Sequence, residues 1–156
     1  MRATLWLGPL LAGLVAAAGC DRPAEKPAGS PPAAANATLY QRLGGYDALA
    51  AVTDDFLGRM LGDPKMAPYF ESLDDGGKKR VRQMIVDQLC AATGGPCVYV
   101  GADMAKAHKG LNISETAFGV AAQYLTATLD KFQVPQKEKD EVLAIVGSTR
   151  NDIVGK

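Results

Sequence analysis

In "YDALAAVTDDFLGRMLGD", residues 46–63, the large apolar side chains fall at Leu49, Val52, Phe56 and Met60, with Leu57 and Leu61 beside them. Steps of three and four place them on one stripe of an α-helix, since 3.6 residues complete a turn. The same period returns along the chain as far as Ile153. No strand-like alternation of useful length interrupts it; "CVYV", residues 97–100, is the best candidate and is too short to build a sheet. This periodicity restricts the fold to the all-α class.

The punctuation agrees. Gly62-Asp63-Pro64 stops the first long helix. A second is predicted from about Lys78 to Thr93, with Val81, Met84, Ile85, Leu89 and Ala92 on its stripe. Gly94-Gly95-Pro96 ends it, because glycine accepts the left-handed turn and proline cannot continue the helix. A short helix around Met104 to His108 follows. Asn112 or Ser114 caps the next, which carries Phe118, Ala121, Ala122, Leu125, Leu129 and Phe132. Pro135 suits the first turn of the last helix, whose stripe is Val142, Ile145, Val146, Thr149 and Ile153.

Residues 1–19 read as a signal peptide rather than as part of the fold. Met1 and Arg2 form a short positive start, and "LWLGPLLAGLVAAAG" is uncharged and too short for a membrane span. Ala17-Ala18-Gly19-Cys20 resembles a bacterial lipoprotein signal, which implies cleavage before Cys20 and lipid on its sulfur and new amino group. An ordinary cleaved signal or an uncleaved anchor is the alternative. Several acyl chains would hold the protein on a membrane. The implied location is the periplasmic face of an exported protein, at the inner membrane if Asp21 acts as a retention signal. Residues 20–37 then form the lipidated cysteine and a Pro/Ala-rich tether with no large apolar side chain. Residues 38–156 make one domain of ordinary size. The seventeen basic residues match the seventeen acidic ones, and "KKR" at 78–80 is the one short basic cluster, so nucleic acid is not an expected partner.

His108 is the only histidine. A hydrolytic triad needs more partners than a lone imidazole has around it, and a zinc site needs three or four protein ligands. A zinc site from Cys90, Cys97 and His108 lacks recognised spacing. One role suits a single imidazole: the axial ligand of a haem, whose porphyrin supplies the other four nitrogens. No Cys-x-x-Cys-His stands in the chain, so covalent attachment through that motif is not indicated. Cys90 and Cys97 flank the Gly94-Gly95-Pro96 turn, and in an exported protein a disulfide between them is expected over two buried thiols.

"YQRLGGYDAL", Phe56, "PYF" and "GGPCVYVGADMAKAHKGLNIS", in that order and spacing, resemble the truncated haemoglobins, closest to their first group. The resemblance spans nearly all of residues 38–156. It implies a two-over-two helical sandwich around a b-type haem, with His108 as the proximal iron ligand. Phe70 matches the phenylalanine that packs on the haem face, with Tyr69 the alternative if the register slips by one. Met104, Ile113, Phe118 and Leu125 are implied to line the pocket.

The distal side departs from the family. Leu57 stands where many first-group members carry a tyrosine, and Val81 and Ile85 fall where the family often has glutamine or another polar side chain. Gln83 and Gln88 lie nearby, and their helical spacing is read as turning them away from that stripe. Met84 is adjacent and reads as packing rather than as a sixth ligand. The expected function is binding of oxygen, nitric oxide and carbon monoxide at the iron, rather than dedicated catalysis. Nitric oxide dioxygenase or peroxidase-like turnover would need an electron donor, for which this chain carries no reductase or flavin signature. The alternative is a haem-free helical lipoprotein acting as a binding or adaptor module.

Overall fold

The computed structural model describes residues 36–156 and is all-helical. The signal peptide, Cys20 and the tether up to residue 35 lie outside the described residues. The elements are α1 (Leu39–Arg42), α2 (Gly45–Gly62), a 3₁₀ turn (Ala67–Phe70), α3 (Asp75–Ala92), α4 (Met104–Ala107), α5 (Glu115–Lys131), α6 (Gln136–Ser148) and α7 (Arg150–Ile153). Among the described residues, no helix is long and apolar enough to cross a membrane.

α2 packs on α3 and on α5, and α5 packs on α6. Two helix pairs, α2 with α3 and α5 with α6, therefore meet along the α2–α5 seam. The core divides into two clusters. Leu39, Val52, Leu125, Leu129 and Val142 form the first. Met60, Met66 and Ala117 form the second, with Tyr69, Phe70 and Ile113 packed against it. Phe56 touches both.

The seam also carries a polar lock. Asp55 on α2 accepts from Lys131, from Arg59 Nε at 2.7 Å and from Thr128 Oγ1 at 2.8 Å. With Lys131 contributing most, these donors hold the Asp55 carboxyl well below the usual carboxylate range. Arg42 fastens α1 to α6 through Glu138, at 2.9 Å, and Glu141.

Several boundaries depart from the sequence expectation. α3 starts three residues before Lys78. Asp74 caps it by accepting from the Gly77 amide at 2.7 Å, and this outweighs the poor helix propensity of Gly76 and Gly77. Ser114 caps α5 by accepting from the Ala117 amide, whereas Asn112 takes a left-handed backbone with φ 48°. Phe132 lies past the end of α5 and is exposed. The last helix breaks in two. Ser148 Oγ and Thr149 Oγ1 donate back to the carbonyls of Ile145 and Val146, each at 2.7 Å, offering the backbone an exit from the helix there.

The glycine pair after α3 is required by the turn. Gly94 has φ 82°, and a Cβ on Gly95 would come within 2.6 Å of the Tyr40 ring and 2.7 Å of Cys90 Sγ. Tyr40 N also donates to Thr93 O at 2.8 Å, so α1 closes against the end of α3.

Candidate functional site

The stripe expected to bury α3 is not the one that does. Val86 and Cys90 are fully buried, whereas Val81, Met84, Ile85 and Leu89 are half-buried and Ala92 is exposed. The reason lies in what α3 packs on. Its extensive packing is with α2 alone, and Val86 and Cys90 are its buried residues. Val81, Met84 and Ile85 lie toward the other side of the helix and stay half-buried. A half-buried apolar face beside a folded core leaves apolar surface on which a large apolar ligand can seat.

Gln88 shows what that face looks toward. It is seven residues from Val81 and three from Ile85, so two turns return it to the same stripe. The expectation that spacing turns Gln88 away is corrected: its Nε2 donates to Met104 Sδ at 3.3 Å, across to α4. Gln83 does point elsewhere, donating to Tyr46 OH at 2.7 Å and to Asp87 Oδ1 at 2.8 Å. The α3 stripe and α4 thus border the same site.

α4 is a single turn. Asp103 caps it by accepting from the Lys106 amide at 2.8 Å, and His108 stands at its C-terminal end. His108 is half-buried. Its Nδ1 lies 2.8 Å from Met104 O. A carbonyl oxygen can only accept, so Nδ1 carries the proton. In the neutral ring that leaves the Nε2 lone pair for a ligand outside the backbone. Among the described residues, no group of three or more His, Cys, Asp and Glu side chains converges to hold a metal ion. A single free imidazole nitrogen suits a metal that arrives with most of its ligands.

Phe70 ends the 3₁₀ turn and packs with Ile113 against the Met60–Met66–Ala117 cluster, and Tyr69 joins them. Leu57 is buried on α2 and belongs to neither cluster. The structure places the other two residues expected to line a pocket as follows. Leu125 packs in the first cluster with Val52 and Val142, and Phe118 lines an open groove between α5 and α6 with Leu143 and Val146. Sequence reasoning missed Gln88. The signal was present in the seven-residue spacing from Val81.

Cys90 and Cys97 are joined in a disulfide with Cα atoms 5.7 Å apart. It ties the end of α3 to the loop that leads into α4.

The family model of the bacterial-like globins matches residues 38–154. The chain is 31% identical over 119 residues to a group 1 truncated haemoglobin of Tetrahymena pyriformis, covering 76% of this chain and 96% of that one. It is 32% identical over 117 residues to a group 1 truncated haemoglobin of Mycolicibacterium paratuberculosis, covering 75% and 84%. The crystal structure of the Tetrahymena pyriformis protein in its Fe(III) form superposes with a TM-score of 0.71, over 77% of this chain and all of that one. A 2/2 haemoglobin from Synechococcus, described in the cyanomet state with covalently attached haem, is 31% identical with a TM-score of 0.69, over 76% of this chain and 98% of that one.

Proposed function

The chain belongs to the bacterial-like globins, within group 1 of the truncated haemoglobins, and we propose that it holds one haem b on His108 and binds diatomic gases there. The observation that carries the reading is the state of the imidazole: Nδ1 is committed to Met104 O, and Nε2 is left to coordinate. The surroundings fit the group. Val81, Ile85 and Met84 offer an apolar half-open wall on α3, and Phe70 and Ile113 add apolar surface beside the second cluster. The haem iron supplies the binding of oxygen, nitric oxide or carbon monoxide.

The remaining work falls to the chain. His108 would hold the iron through Nε2, its ring set by the Nδ1 bond to Met104 O. Val81, Met84 and Ile85 would present apolar side chains to the group. Leu57, Val81 and Ile85 carry no hydrogen-bond donor, and the Gln88 amide on the same stripe is engaged with Met104 Sδ, so these side chains would give a bound gas no donor. This favours sensing, nitric oxide chemistry or electron transfer over long storage of oxygen. Turnover as a nitric oxide dioxygenase or peroxidase would require an external electron donor.

We also infer an exported lipoprotein, with residues 1–19 removed, Cys20 lipidated and the globin domain of 38–156 held at the membrane by the tether. The apolar leader ending in Ala17-Ala18-Gly19-Cys20 supports this, and a disulfide at Cys90 and Cys97 accords with an oxidising compartment.

The test of the haem reading is titration of the purified protein with haemin. A Soret band saturating at one haem per chain is expected, with pigment that acidic organic solvent extracts and a pyridine haemochrome typical of haem b. A protein whose spectrum is the sum of its own and free haemin's would reject the reading and favour the haem-free adaptor.

A further inference from the structure

We propose that Gln88 is a positioning residue for the iron ligand, acting through Met104 to set the orientation of His108. The proposal rests on the haem reading above and deepens it.

α4 has four residues, far below the length at which a helix sustains itself in water. Its place must come from contacts beyond it. The Asp103 cap, with its Lys106 ion pair at 2.8 Å, is local to the turn and moves with it. Packing against α7 holds α4 on one side. The Cys90–Cys97 bond anchors the preceding loop, but seven residues upstream of Met104. The direct tie from the turn itself to α3 is the bond from Gln88 Nε2 to Met104 Sδ.

Met104 serves twice. Its sulfur takes the Gln88 amide, and its carbonyl oxygen takes His108 Nδ1 at 2.8 Å and His108 N at 3.1 Å. The His108 Nδ1 bond to Met104 O lies within the turn, fixes the ring plane on it and moves with it. A rotation of α4 that releases Gln88 therefore re-aims the imidazole as a unit and changes the direction in which Nε2 presents itself to a metal. Folding gives little reason for the amide. A thioether is a weak acceptor, and the neighbours of Gln88 on the stripe are Val81, Met84 and Ile85. A leucine would fill this face without an amide to desolvate.

The test uses the full chain loaded with haemin and reduced, as wild type, Gln88→Leu, Met104→Leu and the double variant. Resonance Raman reads the iron–histidine stretch, and a redox titration reads the midpoint potential. Each single variant is expected to lower the stretching frequency and move the potential. The double variant is expected to shift them no further than the larger single shift, because both act through one contact. An iron–histidine band at the wild-type frequency in Gln88→Leu would overturn the proposal, as would two shifts that simply add. If Gln88→Leu fails to fold, Met104→Leu alone decides: an unmoved band removes the link. A wild type that takes up no haemin sinks the haem reading and this proposal together. A wild type with His108-ligated haem and an indifferent Gln88→Leu sinks the proposal alone.

Discussion

If Leu57 stands where the resemblance to the first-group truncated haemoglobins places a tyrosine, the missing hydroxyl has a measurable consequence. Oxygen on a ferrous haem acquires partial negative charge, and a donor beside it contributes about 1.5 to 3 kcal/mol. That is roughly ten- to a hundredfold in affinity, expressed mainly in dissociation. Leu57→Tyr should therefore slow oxygen release, read by stopped flow, about tenfold or more. Slow release already in the wild type would show that a donor, such as Gln83, Gln88 or a water, reaches the ligand. At this scale the sequence was partly legible. His108 stood out by being alone, and the residues around it matched a family. Gln88 is misplaced from the sequence because the spacing that turns Gln83 away does not apply to it. A period of seven puts it on the stripe whatever its chemistry, and only the coordinates revealed Met104 as its partner.

The elements were easier to read than their faces. α2, α5 and the stops at Gly62-Asp63 and Gly94-Gly95 follow from local rules of period and capping. The buried face of α3 does not. An apolar stripe states that something covers it, and in an ordinary helix that is protein; here Val86 and Cys90 meet the core while Val81 and Ile85 stay half-open. The break at Thr149 was hidden for a similar reason, since the apolar period runs through it to Ile153 while the hydroxyls of Ser148 and Thr149 turn back on the backbone. The tie between α3 and the loop before α4 makes a prediction at this scale. Closing a loop of about eight residues restricts the unfolded chain by roughly 2 to 3 kcal/mol in the chain-entropy account. Mass spectrometry of freshly isolated, unreduced protein should find the Cys90 and Cys97 peptides joined, and reduction should lower the melting temperature by several degrees. Two freely alkylated thiols at these positions would count against it.

Among the described residues, two helix pairs leave the Val81–Ile85 face of α3 half-open, and His108 ends the α4 turn that Gln88 ties to that face. The rest of the chain concerns where that site works. If Cys20 carries lipid, Cys20→Ala should release the globin domain from membranes or stall its processing, as fractionation and intact-mass measurement would show. Wild-type protein recovered unprocessed in the cytoplasm would contradict the export reading while leaving the haem site intact. The haem site itself stands or falls on His108. The most direct measurement is the iron–histidine stretch of the reduced, haemin-loaded protein compared with His108→Gly, before and after adding imidazole. The account predicts a band in the wild type, its loss in the variant, and its return when free imidazole fills the space. An unchanged spectrum in His108→Gly would mean that another group holds the iron.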